Sequence, residues 1–336
     1  MPGIKYITRV IRGARPDKMN KMLDVVKEKS GQPKAVTFFD ILWCAARYGA
    51  GYYDYVMFGF YDMNGKQRDT YLTRVRNKKV QEMMNDDKYS DLFDDKLQFN
   101  PLFESFLKRR VLNAETASEE EMADFMKGQE FFFAKPKNGT CGDGIEKCMA
   151  SDFANPGDAL AYVRSKGLPV LEHGIVQHPD MARLHPQSVN TLRIVTDRVG
   201  DEIHIAYIVV KMGTGGGYCD NSGQGGVICR VDPESGKIIS VATDDYFNVF
   251  EKHPDTGITF KGYQLPMHKE AIEFAKEAAM VVPEIRHVGW DIAITEDGPV
   301  LIEGNDYPGT DLCQLAPHFP EKTGLWPYYK KILNIK

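Results

Sequence analysis

The most regular alternation of apolar and polar positions in the chain lies over residues 288–305. Val288, Trp290, Ile292 and Ile294 recur with period two, the signature of a strand with one buried face. Glu296-Asp297-Gly298-Pro299 supply turn chemistry and Val300-Leu301-Ile302 a return strand, so the stretch predicts a β-hairpin. With its turn centred on Asp297, Asp291 falls opposite Glu303, and Asn305 follows on the same face.

The same patterning organises the rest. Residues 266–283 carry Ala271, Phe274, Ala275, Ala278 and Ala279 at helical spacing. Residues 190–196 and 203–210 read as neighbouring strands joined by a turn over 198–202, and residues 229–231 and 237–241 as a further hairpin. Phe131–Ala134 and Pro169–Val176 are strand-like. Helices are expected over Phe103–Arg109, after Asn155, and near Ser118, which forms a capping box with Glu121. Residues 70–93 read as helical and polar, and the tail with Trp326, Tyr328 and Tyr329 packs back as a further helix. The aromatic run 36–61, interrupted by Gly49, Gly51 and Gly59, reads as subdomain packing rather than a ligand site. No βαβ unit is visible in the first third.

Composition narrows the class. At 336 residues, 43% hydrophobic and 26% charged, the chain has the make-up of a soluble globular protein of two or three subdomains. A net charge of −5 gives no push toward nucleic acid. No stretch is apolar enough to span a bilayer and no signal-peptide core is seen, so a cytoplasmic protein is expected. The six cysteines show no C-x-x-C pair or zinc spacing. Residues 1–34 are basic, and Ile4, Ile7 and Ile11 fall near helical spacing. Such a helix would touch an anionic membrane weakly or simply be solvated, and its narrow apolar stripe favours solvation.

The candidate chemistry starts from the hairpin. Two carboxylates opposed on one sheet face repel. A divalent cation between them would relieve this, and Asp291, Glu303 and Asn305 are the oxygen ligands Mg²⁺ prefers. A second stretch delivers Lys135 and Lys137 into a loop with Gly139, Gly142 and Gly144, where backbone N–H groups can turn toward an anion. It is neither a Walker A motif nor a dinucleotide fingerprint. Cys141 in that loop has no base near it in sequence. Glu172 sits inside an apolar run, where a lysine or an adenine edge would satisfy it. Arg193 and Lys211, on neighbouring strands, could both address a phosphate. The glycine-rich loop with Asn221, Gly225 and Gly226 suits a mobile cover.

In this order the pieces resemble the ATP-grasp superfamily. Asp95-Lys96 is similar to the early lysine motif of D-alanine–D-alanine ligases, and Ala134-Lys135-Pro136 to the second ATP lysine, with the phosphate-covering loop 138–145 after it. Leu171-Glu172 resembles the adenine hinge, and Asp291, Glu303 and Asn305 the magnesium set, with Tyr307-Pro308-Gly309 behind it. Asn190-Thr-Leu-Arg193 and the 221–227 loop look most like the sugar-transfer-associated branch, a label of gene context rather than of a reaction. The resemblance implies an α+β ATP-grasp fold, two α+β subdomains gripping ATP, with an atypical, mainly helical N-terminal region. The expected division is 1–95 for that region, 96–175 for the first ATP-grasp subdomain and 176–336 for the second.

It further implies an ATP- and Mg²⁺-dependent (Mn²⁺ as substitute) ligase joining small carboxylate and amine substrates through an acyl phosphate. Lys96 and Lys135 would hold phosphates, while Arg193, Lys211 and Asn221 would serve the transfer. Two alternatives are a sugar or polyol kinase using Asp180, His178 or Asp306 as base, and a non-catalytic nucleotide-binding module.

Overall fold

The computed structural model describes residues 15–139, 142–310 and 312–335. Lys5, Arg9 and Arg12 of the basic segment, Ile4, Ile7 and Ile11, and Cys141 lie outside the described residues. Helix α1 (Pro16–Ser30) starts on a proline and stops at Gly31, whose φ of 72° is the left-handed closure glycine supplies. Helices α2 (Lys34–Tyr48) and α3 (Tyr52–Met57) follow, parted at the expected glycines. Val26, Ile41, Tyr55, Phe58, Phe60 and Tyr71 close one core among them, so most of the aromatic run is packing. Helices α4 (Arg74–Met84) and α5 (Lys96–Leu102) complete the region. Among the described residues every regular element before Val111 is helical, an isolated Asn85–Ile285 bridge aside.

The strands among the described residues form two antiparallel sheets. In the smaller, β1 (Val111–Asn113), β4 (Val170–His173), β2 (Phe131–Lys135) and β3 (Glu146–Met149) lie in that order. Its period-two alternation decides what goes where. Phe132, Ala134 and Leu171 pack under α6 (Glu119–Met126) and α7 (Pro156–Ser165), while Phe133, Lys135 and Glu172 point the other way, into a cleft. The Ser118–Glu121 capping box and the Asn155 cap open these two helices as the sequence predicts.

The larger sheet runs β11 (Gly298–Asn305), β10 (His287–Thr295), β5 (Thr191–Val199), β6 (Glu202–Met212), β7 (Val227–Val231), β8 (Ala242–Thr243) and β9 (Val249–Phe250). Leu192, Ile194, Val210, Trp290 and Ile292 line one face against α9 (His268–Ala278) and Phe93, Phe99 and Phe103. On the other face Val195, Tyr207 and Val209 pack on Cys313, and the remaining end turns Thr191, Lys211 and Asp291 to the cleft, with Arg193 beside them on Asp291. The short α8 (Pro179–Leu184) leads into β5, and α10 (Trp326–Ile332) closes the tail.

Several boundaries differ from the sequence reading. The β5–β6 turn is only Gly200-Asp201, because Gly200 adopts φ 62° and lets both strands run longer. Residues 237–241 make isolated bridges (Ile238 to Val231, Lys237 to Gln264) rather than a strand. The helical turn after Phe103 ends at Leu107, since Lys108 is left-handed (φ 45°) and redirects Arg109.

The opening hairpin forms as β10–β11, with Val288, Trp290, Ile292 and Ile294 in the core. Its turn, however, is the two-residue Glu296-Asp297, pairing Thr295 with Gly298. That register alone would set Asp291 opposite Ile302. A β-bulge at Ile302 adds one residue and restores the pairing of Asp291 with Glu303.

Candidate active site

The cleft lies between the two sheets. Its floor is the polar end of the large sheet, where the register sets Asp291 beside Arg193 and Thr191 beside Lys211. Arg193 donates to Asp291 through Nε (2.5 Å) and Nη2 (2.8 Å), and Lys211 Nζ through a third bond of 2.9 Å. All three side chains are buried. Burial would raise the Asp291 carboxyl, but the Arg193 and Lys211 charges outweigh it and hold the pKa far below the usual range. Burial likewise opposes the charge on Lys211, and Asp220 and Asp291 together push its pKa up nonetheless.

This corrects one step of the sequence argument. A metal ion is not the only way to seat Asp291 opposite Glu303, because two cations already neutralise Asp291. Arg193 and Lys211 both donate to that carboxylate, and of the two Lys211 lines the cleft. Glu303 is the group left over. It makes no hydrogen bond or ion pair among the described residues, and burial, then the Asp291 charge, raises its pKa. An unneutralised carboxylate beside a second one, aimed into a cleft, fits a hard divalent cation. Asn305 is less committed: its Oδ1 accepts the Tyr307 N–H at 2.9 Å, leaving one lone pair, and it does not line the cleft. Among the described residues no cluster of three or more His, Cys, Asp or Glu side chains could hold a metal, so any ion here would rest on two acids, an amide and the ligand.

The opposite wall comes from the small sheet. Glu172 Oε2 accepts Lys135 Nζ at 2.7 Å and Arg109 Nη2 at 2.7 Å and Nε at 3.0 Å. Burial would raise this carboxyl too, yet Arg109 and Lys135 lower it to about 2. A lysine thus satisfies Glu172, as anticipated, and an arginine shares it. Arg109 also donates from Nη1 to Leu301 O at 2.5 Å, tying the small sheet to the edge strand of the large one.

Lys96, first residue of α5, reaches Gly139 O at 3.0 Å and lines the cleft near Glu303. The adjacent Asp95 caps the helix and pairs with Lys137 at 3.0 Å, so two charged contacts pin the root of the glycine loop. Lys137 is thereby drawn away from the cleft. Gly139 and Gly142 line it; Gly144 stacks near Pro136 and does not.

The second glycine loop closes one end. Tyr218 Oη donates to Ile145 O at 3.0 Å, and its ring lies 5.9 Å from that of Phe133, so the two loops touch. Asn221 lines the cleft, whereas Gly225 and Gly226 act one step back. A Cβ on Gly226 would collide with the backbone of Asp220 and Asn221, the tight turn that aims both side chains. Leu171 also works indirectly: its side chain is in the small-sheet core. His178, Asp180 and Asp306 lie outside the cleft lining, and His178 serves as the cap of α8.

The lining residues that escaped the sequence reading include Arg109, Tyr218, Asp220 and Ile302. Asp220 accepts both the N–H (3.1 Å) and the hydroxyl of Thr191 and sits 3.7 Å from Lys211. As the sole acid in residues 213–226 it carried a signal. Arg109 carried a weaker one, a cation just ahead of an apolar strand with a buried acid to satisfy.

Two sheets closing on a cleft, with lysines and a glycine loop on one side and paired carboxylates on the other, define an ATP-grasp fold. A family described as sugar-transfer associated ATP-grasp matches residues 75–332, and the chain belongs to that family. No curated protein matches it. Solved structures similar to it include a D-alanine–D-alanine ligase from Helicobacter pylori (13% identity, 71% of this chain and 58% of that one, TM-score 0.40). Others are D-alanyl-alanine synthetase A from Vibrio cholerae (14%, 76% and 71%, TM-score 0.45) and phosphoribosylamine–glycine ligase from Thermotoga maritima (10%, 68% and 51%, TM-score 0.43). The chain thus spans little more than half the length of the first and third. Among the described residues no helix is long and apolar enough to cross a membrane.

Proposed function

We propose that the chain is an ATP-dependent ligase that joins a small carboxylate to an amine through an acyl phosphate. The observation that carries this reading is the composition of the cleft: Lys96, Arg109, Lys135 and Lys211 for phosphate and a developing oxyanion, and Asp291 and Glu303 for a metal, all on one lining. The substrate brings the nucleophile.

In this reading Lys96 and Lys135 receive the ATP phosphates. Lys135 is already oriented by Glu172, which Arg109 also holds. Glu303 and Asp291, with Asn305 turning its amide, would hold Mg²⁺ or Mn²⁺, whose charge would offset the phosphate oxygens. The substrate carboxylate oxygen attacks the γ-phosphorus and the bond to the β-bridging oxygen breaks, releasing ADP. The amine, having lost a proton to solvent, then attacks the acyl carbon and expels inorganic phosphate. Lys211, which lines the cleft and is kept cationic by Asp220 and Asp291, would stabilise the negative charge that gathers in both steps, with Arg193 behind it holding Asp291 in place. The touching glycine loops exclude water that would hydrolyse the acyl phosphate.

A kinase on this fold needs a general base against a hydroxyl, and His178, Asp180 and Asp306 do not line the cleft. The test is direct. Incubation with ATP, Mg²⁺, hydroxylamine and a panel of small carboxylic acids yields a hydroxamate and phosphate for the right acid. ATP consumption with a phosphorylated sugar and no hydroxamate would replace the ligase with the kinase, and nucleotide binding without turnover across acids, amines and sugars would leave a binding module. A role in surface polysaccharide synthesis would be supported if the acid proves to be a uronic or other sugar acid.

A further inference from the structure

Helix α2 is amphipathic in an unusual sense. One side buries Thr37, Ile41, Cys44 and Tyr48 in the helical core. The other presents Val36, Phe39 and Trp43, 51%, 69% and 51% exposed. Spaced three and four residues apart, they form a single stripe along about 10 Å of helix. Phe38 flanks it, its ring edge-on to Phe39 at 5.7 Å.

The charges on this helix are sorted just as sharply. Its only acid, Asp40, is turned inward, where Arg68 (2.8 and 2.7 Å) and Tyr55 (2.7 Å) hold it. Its two cations mark the ends of the stripe. Lys34 shares Asp24 at 2.5 Å, and Arg47 rests on the Tyr48 ring with no ion pair among the described residues. The outward face is therefore aromatic in the middle and cationic at the ends, with no helix carboxylate among them. Residues 1–14 of the sequence add Lys5, Arg9 and Arg12 and no acid.

We propose that this face docks on an anionic membrane surface. Phe39, Trp43 and Val36 enter the headgroup–acyl boundary, where aromatic rings are favoured, and Arg47, which has no ion pair among the described residues, meets lipid phosphate. A second copy of the chain fits less well. The exposed parts of the four apolar side chains come to roughly 400 Å² per copy, about half of what a stable dimer interface uses per partner. Two copies would also bring like charges together at both ends of the stripe. The inference is independent of the reaction in the cleft.

Co-sedimentation of the full-length chain with vesicles tests it. Binding is expected to phosphatidylcholine vesicles containing phosphatidylglycerol and to be weak on phosphatidylcholine alone. Trp43 emission should shift to the blue on binding, a shift absent from Trp43→Phe. Phe39→Ser combined with Trp43→Ser should lower the vesicle affinity at least about tenfold, and Arg47→Glu should weaken binding to the anionic vesicles alone. Phe39→Ser alone serves if the double variant melts early. Equal sedimentation of parent and variants, or none at all, overturns the proposal. So does a dimer in light scattering that the same substitutions dissociate, which would make the face a contact between copies.

Discussion

Glu303 and Asp291 stand directly opposite each other, yet only Asp291 is neutralised. Arg193 and Lys211 hold Asp291 ionised, while burial and then the Asp291 charge raise the pKa of Glu303. The two acids of one register pair therefore have different tasks, and their substitutions separate.

Glu303→Gln removes repulsion and strands no cation. The melting temperature without nucleotide should stay level or rise, while the extra stabilisation that Mg²⁺ adds to ATP disappears and turnover falls by roughly a hundredfold or more. Calorimetry with and without Mg²⁺ checks this. A clear loss of stability without nucleotide would contradict it.

Asp291→Asn should behave in the opposite way. It leaves Arg193 and Lys211 buried without their anion, a loss on the order of 3–5 kcal/mol. Urea titration should show the midpoint falling well below that of the Glu303 variant, alongside lost turnover.

Glu172 makes the fold sensitive to acid. Its pKa is lowered from an ordinary value near 4.5 to about 2, so its contribution to stability is complete above the ordinary value. The contribution declines as pH falls through that range and is gone near pH 2. A stability–pH curve for Glu172→Gln should be lower at neutral pH and flatter on the acid side. Parallel curves would remove Glu172 from the acid limb.

Tyr218→Phe breaks the hydroxyl contact that joins the two glycine loops. One such bond is worth about 1 kcal/mol net, so global stability should hardly move. Limited proteolysis within the two loops should quicken, and the KM for ATP should rise severalfold. Unchanged cleavage and KM would mean the loops close without it.

Much of this was legible because the relevant signals are local. Period-two alternation placed Asp291 and Glu303 outside the Trp290 core, and the lysine–proline–glycine run marked where a loop leaves β2. Partners distant in sequence were not legible. Arg109 meets Glu172 across 63 residues only because Lys108 turns left-handed, and Arg193 meets Asp291 across 98. No pattern within either segment encodes such a pairing. The outward stripe of α2 was hidden for a related reason. A run of aromatics looks the same in sequence whether a core covers all of them or only half.

The bulge at Ile302 has a consequence for how nucleotide and ion are seen together. In a regular strand two side chains on one face are two residues apart, about 7 Å along the chain. The bulge turns the consecutive Ile302 and Glu303 both into the cleft. A greasy platform and an acid thus sit within a single residue's reach, closer than any ungapped ladder permits. A deletion of Ile302 would keep the acids aligned and take away the apolar side chain beside them.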